Sequence, residues 1–188
     1  LAWGSSWFAI SFQLGDVAPQ VSIVWRFLLA SFMLFIWCFA RGLKLSFSWR
    51  DHLNWIILGF FLFCVNYICA YFGTSYLTTG VVCLIFSTLT LFTVLNGFIF
   101  FKKPVRLPIL FGALIGIAGL SIIFSSEISS ADWSLDSEII KGFLWMLLAT
   151  FFASIGMLLS GQMQARKIPL IQSNAFSMLY GSLILVTY

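Results

Sequence analysis

Long apolar runs broken by short polar turns dominate this chain. The runs are continuous rather than alternating, so they predict helices and not strands. The breaks leave seven segments, at residues 1–15, 19–40, 53–73, 77–101, 107–124, 139–161 and 170–188. A helix of about 20 mainly apolar residues crosses a bilayer. The expected fold is therefore an all-α integral membrane protein, a multi-pass helix bundle. The chain starts at Leu1 and stops at Tyr188, both inside apolar stretches. The sequence reads as an internal piece of a longer protein, with its first helix truncated and its last one cut short. No charged leader or cleavage site precedes the first run, so it is not read as a signal peptide.

Composition narrows the class further. Of 188 residues, 61% are hydrophobic and 9% are charged, against about 25% charged in soluble domains. One globular core of this size cannot hide that much apolar surface. A soluble enzyme, a disordered regulator and a nucleic-acid reader are excluded as classes on this ground. Four cysteines (Cys38, Cys64, Cys69, Cys83) lie in apolar runs without a CxxC pair. They are expected to be small buried thiols, neither disulfides nor zinc ligands.

The polar turns sort by charge. Arg41, Lys44, Arg50, Lys102, Lys103, Arg106, Arg166 and Lys167 fall in alternate loops, and these are eight of the ten basic residues. Asp16, Glu127, Asp132, Asp136 and Glu138 fall on the other side, with Lys141. Basic loops stay on the cytoplasmic side, so the first segment is expected to run from inside to outside. The basic residues read as topology determinants in short loops, not as a nucleic-acid patch.

A shift of 150 residues lays Ala18-Pro19-Gln20 on Ile168-Pro169-Leu170, each opening a helix. Proline suits a first helical turn. The preceding charges differ in sign, Asp16 against Arg166 and Lys167. An odd number of helices per repeat would put equivalent loops on opposite faces. The expected organisation is a five-helix repeat over residues 1–124, an acidic extracytoplasmic connector over 125–138, and the start of a second, inverted repeat over 139–188. Inverted repeats are a common build of secondary transporters.

Four stretches carry a family resemblance. They are Trp3-Gly4-Ser5-Ser6-Trp7-Phe8-Ala9-Ile10, Arg26-Phe27-Leu28-Leu29-Ala30, Ala70-Tyr71-Phe72-Gly73-Thr74-Ser75-Tyr76-Leu77-Thr78-Thr79-Gly80, and the glycines Gly112, Gly116 and Gly119. In order and spacing the chain resembles the drug/metabolite transporter superfamily, specifically its EamA-type repeat. The resemblance implies ten helices in the whole protein, both termini cytoplasmic, and movement of small metabolites, often outward. Two departures stand out. Thr90 occupies the place of a customary proline midway along the fourth helix, which takes away the usual cause of a kink there. Lys103 stands where the family usually has Glu, which removes a cytoplasmic charge pair.

Candidate substrate-binding residues follow from polar and aromatic groups at depth. Arg26 is the one fully charged side chain well inside a span, about 10 Å along its helix from Pro19; it either holds a carboxylate in a cavity or snorkels and bonds backbone carbonyls. Trp3, Ser6, Trp7 and Ile10 share one helical face. The resemblance points that face into a central cavity, and an interfacial pair of tryptophans is the alternative. Asn66 and Tyr67 lie near the middle of the third segment, where an amide points inward to find partners. Ser87, Thr90 and Thr93 lie mid-way along the fourth segment, and Thr150 and Ser154 in the sixth. Such hydroxyls either face a substrate or bond their own backbone. Gly112, Gly116 and Gly119 read as a helix-packing seam. The lone histidine, His52, reads as a solvated residue at the cytoplasmic mouth of the third helix.

The deep segments hold no base beside a nucleophile and no HExxH, so catalysis within this chain is not expected. No metal and no cofactor are expected. The expected function is a membrane transporter for small neutral, zwitterionic or anionic metabolites, amino acids foremost, working by alternating access and in the direction of efflux. A non-transporting scaffold or sensor subunit is the alternative. The expected partners are a small-molecule substrate and the lipid bilayer, with a homodimer left open. The expected location is the cell membrane, the bacterial inner membrane in particular.

Overall fold

The apolar runs fold as helices, and in the computed structural model all regular secondary structure among the described residues is helical. The structure describes residues 19–123, 125–130 and 137–187. The first expected segment, with Trp3, Ser6, Trp7 and Ile10, lies outside the described residues.

Helix α1 is Pro19–Ala40. Helix α2 is Trp49–Tyr76 and starts earlier than its apolar run. A capping box sets that start: the Asp51 amide donates to the Ser48 hydroxyl, and the Ser48 amide donates to the Asp51 carboxylate at 3.1 Å. Such reciprocal caps satisfy amides that a first helical turn leaves open. Helix α3 is Thr79–Phe101 and α4 is Leu107–Ile123. The connector holds a short helix, α5, at Ser125–Ser130. Helix α6 is Glu138–Ala165, longer than the expected 139–161. Gly161 does not stop it, because one glycine only weakens a helix interior. The turn comes at Lys167, in a left-handed conformation at φ 61°, just before Pro169. Helix α7 is Leu170–Val186.

Two helices depart from regular winding. Residues Gly59–Val65 of α2 wind as a π-helical stretch. Helix α3 breaks at Thr88, although no proline is present. The Ser87 hydroxyl donates to the Leu84 carbonyl, and the Thr88 hydroxyl donates to the Ile85 carbonyl, each at 2.6 Å. Hydroxyls that bond back to the preceding turn compete with helical amides and bend the chain. The break expected to be lost with the proline is thus made by side-chain oxygens.

Packing partners define the chain directions. Ser31 donates to the Ala175 carbonyl at 2.7 Å, while Ile23 and Phe27 cluster with Leu185, so α1 and α7 run antiparallel. Gly73 abuts Met146, Gly142 abuts Tyr76 and Leu77, and Gly156 abuts Leu62, so α2 and α6 are also antiparallel. Phe92 meets Phe151 edge-on and Asn96 reaches Ser154, so α3 and α6 run parallel. These directions match strict up-and-down threading of one bilayer.

The outer surface stays apolar, with Phe39 84% and Ile122 74% exposed. In lipid that surface is solvated rather than sticky. Cys38, Cys64 and Cys69 are buried, Cys83 is half-buried, and all four are free thiols. Two expectations fail. Gly112, Gly116 and Gly119 meet no atom within 4 Å where a Cβ would stand, so among the described residues they form no packing seam. The glycines that do carry contacts are isolated ones on α2, α6 and α7, which no repeated spacing flags. His52 is half-buried, not solvated: its Nδ1 is 2.7 Å from the Tyr180 hydroxyl, and its ring stands edge-on to Trp55 and Phe176.

The glycine contacts yield a prediction. A Cβ at Gly59 would collide with the Ser177 carbonyl oxygen and stand 2.9 Å from the Gly181 amide. Backbone cannot step aside as a side chain can, so Gly59→Ala is expected to destabilise the protein by about 1–3 kcal/mol. Gly116→Ala, with nothing within 4 Å among the described residues, is expected to leave stability unchanged. Unfolding of the two variants in mixed detergent micelles checks the contrast.

Candidate functional site

Five helices leave a space between them at mid-depth. The cavity measures about 500 Å³ and lies among α1, α2, α3, α6 and α7. Its wall is mostly apolar, with Leu62, Phe63, Ala70, Phe86, Leu89 and Met178 among the lining residues. Four lining side chains are polar or charged at their tips: Arg26, Asn66, Tyr67 and Asn174.

Arg26 reaches this wall from α1. Its guanidinium carbon is 5.6 Å from the centre of the Tyr67 ring and 5.9 Å from that of Phe27. The buried Tyr71 side chain also interacts with this cation. Phe27 and Tyr67 stand edge to face with ring centres 4.6 Å apart, which holds this aromatic seat rigid. Rings stabilise a cation through their electron-rich faces, more strongly away from water. Arg26 is the only charged residue in the described lining. It points inward and does not snorkel.

Asn66 follows directly on the π-helical stretch. Its Nδ2 donates to the Leu62 carbonyl at 3.2 Å, and its buried Oδ1 has no partner among the described residues. A buried acceptor left open is costly, on the order of 1–3 kcal/mol. It marks a place where a donor is wanted. Asn174 of α7 completes the polar edge, and the sequence analysis passed over it. The signal was available, since an amide in an apolar span must find a partner, as for Asn66.

The other candidates go elsewhere. Ser87 does not line this cavity, and its hydroxyl is bonded to its own helix. Thr90 and Thr93 line a second cavity nearer the loop at 102–106. Thr150 is fully buried and donates to the Met146 carbonyl at 2.7 Å. Ser154 donates to the Phe151 carbonyl and accepts from the Nδ2 of Asn96. That pair ties α3 to α6, and Asn96 was also missed in the sequence. Thus Arg26, Asn66 and Tyr67 come together around one space. Thr150 and Ser154 serve helix bonding instead.

Up-and-down apolar helices around a mid-depth cavity with few polar groups define a multi-pass helical membrane protein. The chain matches the EamA-like transporter family over residues 1–125. With most of its length so matched, it belongs to that family. It is 29% identical over 149 residues to an uncharacterized transporter in the trpA 3' region of Buchnera aphidicola subsp. Schlechtendalia chinensis, covering 79% of this chain and 48% of the relative. It is 24% identical over 134 residues to Protein PagO of Salmonella typhimurium, covering 71% and 44%. It is 24% identical over 189 residues to the uncharacterized transporter YoaV of Bacillus subtilis, covering 100% and 63%. The chain therefore spans about half to two thirds of the length of these relatives. No solved structure matches the chain significantly.

The Asn96–Ser154 tie can be tested. Ser154→Ala removes the oxygen that Asn96 donates to. Interhelical hydrogen bonds in membranes average about 0.6 kcal/mol and reach about 1.7. A loss in that range is expected in denaturant titration of the membrane protein. Thr150→Val, which removes a hydroxyl bonded only within its own helix, is expected to cost less.

Proposed function

We propose that this chain forms much of a transporter that moves small metabolites across the bacterial inner membrane, with amino acids and related zwitterions or anions as cargo. One observation carries the reading: a guanidinium and an amide side chain line one apolar cavity, Arg26 and Asn66. Arg26 suits a carboxylate, because its N–H groups form a planar fork. The Asn66 amide beside it suits an ammonium or hydroxyl. A free amino acid presents both. The volume of about 500 Å³ falls in the usual range for small-molecule sites. Organic cations are disfavoured, since the one charge in the described wall is positive. Tyr67 and Asn174 shape the rest of the pocket, and Trp3, Ser6, Trp7 and Ile10 are its proposed partners from the first helix.

The repeat supports an alternating-access mechanism. The offset of 150 residues relates α1 to α7, and the two pack antiparallel. Helices related by a twofold axis in the membrane plane pack in that way. Residues 1–124 and 139–188 then belong to opposed halves that rock about the cavity, with basic loops facing the cytoplasm. The π stretch of α2 and the break of α3 at Thr88 lie at cavity depth and supply flexible points. Efflux is the direction proposed.

The test uses the intact gene in its host. Overexpression is expected to raise one class of amino acid or related carboxylate outside the cells, and deletion to lower it. Arg26→Gln is expected to remove about 90% or more of that export, the tenfold that 1.4 kcal/mol of a charge-assisted hydrogen bond represents. Its membrane abundance should stay unchanged. If neither outside nor inside pools move with the wild-type gene, the scaffold or sensor reading replaces this one.

A further inference from the structure

A second cavity, of about 620 Å³, lies between α3, α6, the loop at 102–106 and the start of α4. It shares Leu89 and Met157 with the central cavity, so the two spaces meet at those apolar side chains. Along α3 it extends from Thr90 to Gly97, about 10 Å at 1.5 Å per residue. Lys103 and Arg106 line its outer end.

The backbone holds Lys103 in place there. Lys102 takes a left-handed conformation at φ 50° and turns the chain back on α3. The Lys103 amide then donates to the Gly97 carbonyl at 2.8 Å. Its Cβ and Cδ lie 3.8 and 3.9 Å from where a Cβ of Gly97 would stand. The glycine leaves a shallow seat in which the lysine stem lies. Arg106 immediately precedes α4, whose N-terminal turn adds its own positive end. Neither cation has an ion-pair partner among the described residues, where Lys141–Glu138 is the one ion pair. Thr90 adds an exposed hydroxyl at the inner end.

The geometry points to a capture site in this second cavity for the carboxylate or phosphate group of a small soluble anion. The assignment as a cytoplasmic vestibule rests on the function proposed above. Lys103 and Arg106 draw the anion from the cytoplasm at the outer end, Thr90 meets it further in, and the Leu89–Met157 threshold separates it from Arg26. This selects cargo by charge before it reaches the central cavity.

The test reads local potential rather than transport. Thr90→Cys is placed in the protein, reconstituted in phosphatidylcholine vesicles, and labelled with anionic or cationic methanethiosulfonate reagents; the parent protein with its four native cysteines gives the background rate, which is subtracted. Relative to free thiol, the anionic reagent is expected to react roughly tenfold faster than the cationic one, as a focusing cleft allows. Lys103→Gln with Arg106→Gln should abolish the bias. Lys44→Gln with Arg50→Gln, equal charges in another loop, should leave it. Millimolar succinate or inorganic phosphate should slow the anionic reagent in the parent and not in the Lys103/Arg106 variant. A ratio equal to that of free thiol, or a bias that survives the Lys103/Arg106 variant, overturns the site. Protection that appears only with added phosphatidylglycerol, and never with succinate or phosphate, assigns the groove to a lipid headgroup and overturns capture of a soluble anion. The bias does not depend on flux. Flux without bias defeats the vestibule alone, and bias without flux defeats the transporter reading alone.

Discussion

In hydrocarbon, a backbone amide or carbonyl without a partner costs several kcal/mol, and no water is there to supply one. Everything in this chain bends to that constraint. Apolar runs wind as helices because a helix pairs its backbone internally. The two interruptions lie where side chains can stand in. At Thr88, hydroxyls of residues 87 and 88 take carbonyls of the preceding turn. Just after the π stretch, the Asn66 side-chain amide donates to the Leu62 carbonyl. That bond orients the amide on the cavity wall, and its buried oxygen has no partner among the described residues. The polar feature of the site is thus a by-product of repairing the helix beside it. π-helical segments gather at functional sites for this kind of reason.

The same constraint governs association. Apolar side chains gain little by leaving lipid for another helix, so close packing and a few hydrogen bonds hold the bundle. Glycines bring the backbones together: Gly59 against Ser177 and Gly181, Gly73 and Gly142 across α2 and α6. At one end of α2 and α7 the aromatic side chains complete the fit. Trp55 stacks on Phe176 with ring centres 4.7 Å apart, and its indole donates to Ser173 at 3.0 Å. His52 joins that cluster through Tyr180. A histidine at a helix mouth is drawn out of solvent when a neighbouring helix offers both a ring and a hydroxyl.

Much of the fold was legible because span length and loop charge are one-dimensional signals. The six long helices from residue 19 onward correspond to apolar runs, and errors fell at their ends and in the connector, where the short polar α5 was not expected. Capping at Ser48 and the left-handed Lys167 moved boundaries by a few residues. Facing direction was less legible. Helix faces in a membrane are apolar on both sides, so periodicity does not separate lipid from neighbour. Gly112, Gly116 and Gly119 carried the right spacing and met nothing among the described residues, whereas isolated Gly59 and Gly156 met backbone and side chain. Arg26, Asn66 and Tyr67 could be read because a charge or an amide at depth has few places to go. Hydroxyls are ambiguous, since each can bond its own helix. Thr150 and Ser154 did so, and only the three-dimensional neighbours separate them from Thr90.

The choice of arginine at position 26 follows from how many demands one cation must meet at depth. An ammonium is strongly hydrated and compact, and losing that water in a wall of Phe, Leu and Met is costly. A guanidinium is planar and more weakly hydrated, so its face can rest near Tyr67 and Phe27. Its edge carries five N–H groups. Under the proposed function, that edge is what an arriving carboxylate would meet. A site built this way is held in shape before cargo arrives, so less side-chain ordering remains to oppose binding. The aromatic seat also limits its strength, because a cation already satisfied by rings gains less from one more partner. For a carrier this is an advantage, since a site that binds too tightly does not release.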